Sequence, residues 1–262
     1  MSIPAFDGVA ATYDEEFTDQ HLGRLLRASV WRVLARTWAA GDQVVELGCG
    51  TGEDAAWMAE RGMRIAATDV STAMLDQARA KAVARGVADR VSFTSLDLAD
   101  PREVEGLNGP FDGAFSNFGA LNCVEDLRPL GAWLAPRLRP GGKLVLVLIG
   151  RFCPWEIAHF AARGRLPTAI RRFRTGARAH VGEGSLRVSY PSPARLVRQL
   201  GPDFQARSRR GVGWLLPPTD LAGLVGRHPK LFDSLARWDD RFGASGLARR
   251  TCDHWILEVE RL

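Results

Sequence analysis

The stretch Val44-Val45-Glu46-Leu47-Gly48-Cys49-Gly50-Thr51-Gly52 restricts what this chain can fold into more than any other part of it. A short apolar run ends in an acid and then in three glycines at alternate positions. Strand, tight turn and helix in that order make a nucleotide-binding corner. Glycine lacks a Cβ, so the chain can turn sharply and a ligand can lie close to the main chain. A dinucleotide fingerprint needs its third glycine at position 53, and that residue is Glu53. A pyrophosphate held at the helix start would meet this carboxylate, whereas a ligand without phosphates would not. The corner predicts an uncharged adenosine and argues against a nicotinamide dehydrogenase.

The flanking sequence alternates strands and helices. Apolar runs at 43–47, 64–68, 91–96, 111–116 and 143–149 read as strands, the last after a sharp turn at Arg139-Pro140-Gly141-Gly142. Helical periodicity covers 21–38, 53–61, 72–85 and 127–138. Short apolar strands separated by helices predict a Rossmann-like α/β fold, a seven-stranded mostly parallel sheet with helices on both faces. Ligands of such sheets sit beyond the carboxyl ends of the strands, where Gly48, Gly50, Gly52, Asp69, Asp97 and Asn117 all fall. Beyond Ile149 the pattern is less regular. An interrupted helix at 153–175, strands at 185–190, 204–216 and 253–260, and an amphipathic stretch at 219–241 are expected. No repeat or low-complexity linker divides the chain, which reads as one domain. Residues 1–42 form a helical lid, 43–150 the core, and 151–190 an inserted helical cover. Residues 191–262 complete the sheet, with a helical insertion at 217–248.

Several pieces together resemble the class I S-adenosylmethionine-dependent methyltransferases, in their ubiquinone-methyltransferase-like small-molecule branch. They are Phe6-Asp7-Gly8-Val9-Ala10-Ala11-Thr12-Tyr13-Asp14, the Glu46–Gly52 turn, Asp69-Val70-Ser71-Thr72-Ala73-Met74-Leu75, Leu96-Asp97-Leu98 and Leu138-Arg139-Pro140-Gly141-Gly142. Asp253-His254-Trp255 before the last strand is also similar to that branch. The resemblance covers residues 6–149 well and the remainder loosely. It implies S-adenosylmethionine as cofactor. The glycine turn would lie along its methionine end, with Glu46 near the amino group. Asp69 would accept from the two ribose hydroxyls, a task suited to a two-oxygen acceptor. Val70 and Met74 would pack on adenine, Asp97 would accept from its amino group, and Leu98 would cover the ring. Asp100 is also available for that acidic role. Asn117 would sit beside the methionine portion, Tyr13 in a lid segment, and Arg24 against the methionine carboxylate.

Charge bears on the acceptor. The chain carries a net +5, yet residues 151–214 hold thirteen arginines, no lysine and three acids. Such a segment faces an anionic acceptor, nucleic acid or a membrane surface, or is a solvated face, since only three lysines occur in the whole chain. Phe152, Trp155, Phe160 and Phe173 lie among Arg151, Arg163, Arg165, Arg171 and Arg172. They suit a small acceptor with an apolar body and a carboxylate or phosphate head, or else a cover packed on the sheet with its arginines in water. His180 and Tyr190 are the candidate catalytic residues. A nucleic-acid methyltransferase is the alternative; against it, the fourth strand runs into Ser116-Asn117-Phe118-Gly119 rather than an Asn/Asp-Pro-Pro-aromatic run. A non-catalytic cofactor-binding or interaction protein is the other. The four cysteines are scattered and no histidine spacing suggests a metal. No apolar run nears the roughly 20 residues of a membrane span and no signal peptide is expected, so a cytoplasmic location is the simplest. Peripheral membrane contact and oligomeric state stay open.

Overall fold

The structure is a computed structural model and describes residues 6–174, 176–181 and 184–262. The core strands are β1 (Gln43–Leu47), β2 (Arg64–Asp69), β3 (Val91–Ser95), β4 (Phe111–Ser116) and β5 (Leu138–Ile149). A hairpin of β6 (Ala177–Val181) and β7 (Gly184–Val188) stands apart, and β8 (Phe204–Val212) and β9 (His254–Arg261) rejoin the main sheet. Its order is β3-β2-β1-β4-β5-β9-β8. The first five strands run parallel, and β9 runs antiparallel to both neighbours. The expected seven-stranded, mostly parallel sheet is present.

Burial explains the strands. Four of the five residues of β1 are buried, as a strand covered on both faces requires. Val44 faces a cluster with Leu26 and Val30 of α1 (His21–Thr37) and Ala55 and Met58 of α2 (Glu53–Glu60). Ala78 of α3 (Thr72–Ala84) joins it. Val45 and Leu47 face the opposite cluster, with Leu130 and Trp133 of α4 (Arg128–Leu134). The Pro140–Gly142 segment does not end a turn as expected. It is a bulge within β5, where the register against β4 jumps between Phe111 and Gly113 and Gly141 adopts φ +76°.

The segment after β5 is a cover in two parts. Helices α5 (Pro154–Ala161) and α6 (Leu166–Ala169) with a 3-10 turn at Arg171–Phe173 come first, then the β6–β7 hairpin. The sequence anticipates the second strand of this hairpin but not the first, because Ala177-Arg178-Ala179 are poor strand formers. The cover is therefore helical only in its first half. It is pinned by Arg172, which donates to the carboxylates of Glu156 and Asp253 and to the carbonyl oxygens of Gly150 and Asp253. All three charged side chains are buried. Helix α7 (Pro193–Leu200) leads into β8. The amphipathic stretch at 219–241 divides into α8 (Ala222–Arg227) and α9 (Pro229–Phe242). Pro229 has no N–H to continue the first helix and occupies the N-terminal turn of the second.

Candidate functional site

The glycine turn is built by three different demands. Gly48, Gly50 and Gly52 have φ of +76°, +53° and +75°, a region that other residues enter only at a cost. A Cβ at Gly48 would overlap the methyl of Ala120, and one at Gly52 would lie 2.7 Å from that of Ala78 on α3. At Gly50 nothing lies within 4 Å. Gly50 is thus the position where the turn opens to a ligand. The N–H groups of Gly48 and Cys49 donate to the Thr68 carbonyl at 2.9 and 2.8 Å, tying the turn to the end of β2. Asp69, the last residue of β2, accepts from Gly50 N at 2.8 Å and from Ser71 N at 3.0 Å. Burial pushes its carboxyl up, opposed by these two donors. The acid is therefore oriented before any ligand arrives.

These strand ends border a cavity of about 1290 Å³. Its polar end is lined by Gly48, Gly50, Asp69 and Val70, with Met74 and Leu98 as apolar walls. Asp97 also lines it and holds its own turn through the Ala99 N–H at 2.9 Å, whereas Asp100 pairs with Arg102 on the surface. Tyr13, next to the N-terminal turn at Asp14–Thr18, and Asn117, just past β4, complete the expected residues that line the cavity. The far end is mostly apolar: Ala120, Val124 and Ile149 from the core meet Ala179, Leu186 and Val188 from the hairpin, whose Ser185 and Arg187 also line it. Burial raises the Cys123 thiol, which also lines this end, to about 11.

The structure moves four expected residues away from the wall. Arg24 points outward and donates to the Asp19 carbonyl. Glu46 is fully buried, does not line the cavity, and has Oε2 without a partner. Burial, and then the nearby charge of Asp54, pushes its carboxyl well above the usual range. Gly52 faces α3 rather than the cavity. Tyr190 lies half-buried beside the pinned Arg172, whose guanidinium is 6.0 Å from its ring. His180 pairs with Ser185 across the hairpin, and its side chain lies outside the described residues.

Arg27, Asp54 and Phe118 line the cavity without having been singled out. Arg27 donates to Asp54 at 2.5 Å, and Asp54 also accepts from Trp31 Nε1 at 2.7 Å and from Asn117 Nδ2 at 2.8 Å. Both members of the ion pair are buried. The Arg27 guanidinium lies 5.1 Å from the Phe118 ring centroid, and its Nε has no partner among the described residues. One signal for it was present: Arg27 falls within the apolar stripe of α1, beside Leu26 and Val30, where a charge needs a partner. Phe118 has φ +41° in a chain that is otherwise strained only at glycines among the described residues. Such strain gathers at sites of function.

Glu53 explains why phosphates are a poor fit. It begins α2, is buried, and takes both oxygens' bonds from Arg85 at 2.6 and 2.7 Å, with Lys81 at 3.1 Å. The helix start already carries a paired anion. The lining instead suits an uncharged nucleoside with an amino-acid tail: a two-oxygen acceptor for a diol, an open glycine, and a cation, Arg27, on the cavity wall. Among the described residues no cluster of three or more His, Cys, Asp or Glu could hold a metal.

This fold, with an oriented strand-two acid beside an open glycine turn, is similar to that of the class I S-adenosylmethionine-dependent methyltransferases. Residues 44–142 match the family described as a methyltransferase domain. The tRNA 5-carboxymethoxyuridine methyltransferase of Escherichia coli (strain K12) is 33% identical over 146 residues, 54% of this chain and 55% of the relative. The demethylmenaquinone methyltransferase of Clavibacter sepedonicus is 33% identical over 144 residues, again 54% and 55%. The chain thus spans about half the length of these relatives. Among solved structures, the CcbJ methyltransferase of Streptomyces caelestis superposes with a TM-score of 0.62 at 18% identity, over 98% of this chain and 97% of that one. An S-adenosylmethionine-dependent methyltransferase from Mesorhizobium loti gives 0.53 at 20%, over 89% and 98%. At these identities the likeness is one of fold.

Proposed function

We propose that this chain is an enzyme that moves a methyl group from S-adenosylmethionine to a small organic acceptor with an apolar body. The observation that carries the reading is the division of one cavity into a carboxylate-lined end and an apolar end. Its volume of about 1290 Å³ exceeds the roughly 300–1,000 Å³ of a single-ligand pocket, so cofactor and acceptor fit together.

Asp69 would hold the ribose diol, and Met74, Leu98 and Asp97 would enclose the adenine. Gly50 would let the methionine portion approach the main chain, and Arg27, rather than Arg24, would meet its carboxylate. The bound cofactor supplies an electrophilic methyl on a sulfonium. The protein's task is then to align the acceptor and exclude water, and alignment alone contributes roughly 7–11 kcal/mol when the pose is near attack. Ala120, Val124, Ile149 and the hairpin residues Leu186 and Val188 would do this by shape.

Titration with S-adenosylhomocysteine tests the cofactor half: a folded protein without affinity at tens of micromolar would reject it. Labelled methyl appearing in a small-metabolite fraction tests the acceptor half. Label appearing only in RNA would transfer the reading to nucleic acid, as the E. coli relative's name allows.

A further inference from the structure

The arginines in the first half of the cover do not serve the cavity in the way their number suggests. Between residues 151 and 174 the sequence holds six arginines and one acid, Glu156. Arg171 and Arg172 consume that acid: Arg171 donates to it at 2.9 and 3.1 Å, and Arg172 at 2.9 and 2.5 Å while also reaching Asp253. Arg151, Arg163, Arg165 and Arg174 are exposed and line no part of the cavity. No acid within their own stretch remains to neutralise them.

The same stretch exposes apolar side chains that its helices could have buried. Among the described residues ten large apolar side chains are exposed, and Phe152, Leu166, Ile170 and Phe173 all belong to these 24 residues. They are adjacent in space. Ile170 N donates to Leu166 O, and Phe173 N to Ile170 O, so the three residues follow one another at one-turn spacing. The Phe152 and Phe173 rings lie 6.1 Å apart. The result is a continuous apolar stripe bordered by unneutralised arginines. Aromatic and aliphatic groups flanked by arginines are the composition of a surface that lies in a bilayer interface. Single-stranded RNA favours aromatic platforms on which bases stack; Phe152 and Phe173 present such rings, whereas the aliphatic Leu166 and Ile170 of the same stripe fit an acyl boundary better.

We infer that the first half of the cover, from Phe152 to Arg174, docks on the surface of an anionic lipid bilayer. Phe152, Leu166, Ile170 and Phe173 enter the headgroup boundary while Arg151, Arg165 and Arg174 meet lipid phosphates. The hairpin that follows carries Leu186 and Val188 in the apolar end of the cavity, so the docked element and the acceptor wall are one continuous segment. Docking does not require the methyl-transfer reading, and cofactor affinity is measured separately from it.

The test is co-sedimentation of the full chain with phosphatidylcholine vesicles carrying about 30% phosphatidylglycerol, against pure phosphatidylcholine. Binding is expected to anionic vesicles, to weaken in high salt, and to fall at least about tenfold in Ile170→Ser/Phe173→Ser. Arg151→Gln/Arg174→Gln is expected to lose about fivefold per charge. Trp238→Ser, in a second exposed aromatic pair with Phe242 on α9, should bind as wild type. Circular dichroism and S-adenosylhomocysteine affinity identify any variant that misfolds; the second pair then carries the test. No sedimentation with anionic vesicles, unchanged binding in both pairs, loss through Trp238→Ser alone, or a random RNA oligonucleotide displacing the vesicles would each overturn the proposal.

Discussion

Replacing Arg27 by Met separates what holds the site together from what binds there. Asp54 is buried, and among the described residues Arg27 is its only charged partner at hydrogen-bond distance; Trp31 and Asn117 supply two neutral donors. Removing one member of a buried pair strands the other charge, a loss of about 3–5 kcal/mol. The two remaining donors place Arg27→Met toward the lower figure. Adding Asp54→Asn removes the stranded charge and keeps the acceptor for Trp31, so the double variant is expected to recover more than half of the loss. Cofactor affinity follows a different course. A charged hydrogen bond to the methionine carboxylate contributes about 1.5–3 kcal/mol, equivalent to roughly 10- to 150-fold in Kd. That deficit is expected in both variants. Urea unfolding followed by tryptophan fluorescence and calorimetric titration with S-adenosylhomocysteine measure the two quantities. Wild-type affinity in the stable double variant would show that Arg27 is only structural. Unchanged stability in the single variant would refute the claim that the ion pair holds α1 to α2.

Four further outcomes are expected. Gly50→Ala should weaken cofactor binding about tenfold at a stability cost of about 1–2 kcal/mol from its left-handed conformation, whereas Gly52→Ala should lose more stability through its contact with Ala78; thermal melts and titrations compare them. Glu46→Gln should stabilise the protein near neutral pH. The folded-state pKa of Glu46 is raised, so the native state binds the proton more tightly and stability falls as pH rises above the ordinary carboxylate range; the variant's melting temperature should lack that decline. Arg172→Met should lose about 3–5 kcal/mol and expose the cover to trypsin, because Glu156 and Asp253 remain buried. Despite its burial, Asp253 is held well below the usual carboxylate range by Arg172. Its share of stability is present above the unfolded pKa and lost as pH falls through the folded one, and the variant should show a smaller acid-side loss.

Residues 43–149 announced their fold because each parallel strand is a short apolar run whose end is marked by glycine or an acid. Position along such a strand fixes position in space, so Asp69, Asp97 and Asn117 could be placed at one edge from the pattern alone. Arg27 could not be given its role so simply. Its helix supplies two candidate arginines one turn apart, and only packing decides that Arg24 faces water while Arg27 turns inward to Asp54. The cover shows a second limit. Composition counts arginines but not their partners, and Arg171 and Arg172, expected toward an anionic acceptor or water, are held by Glu156 and Asp253. Asp253 comes from the far end of the chain, a long-range pairing that no local spacing encodes. The strand β6 was missed for a related reason: its residues have weak strand preference and it exists through pairing with β7.

The most direct measurement is a crystal structure of the chain with S-adenosylhomocysteine. The expected density places the ribose hydroxyls on Asp69, the adenine between Met74 and Leu98, the carboxylate at Arg27, and the sulfur toward Ala120 and Ile149. Density for the nucleoside outside this cavity, or inside it with the ribose turned from Asp69 and the sulfur toward solvent, would contradict the account.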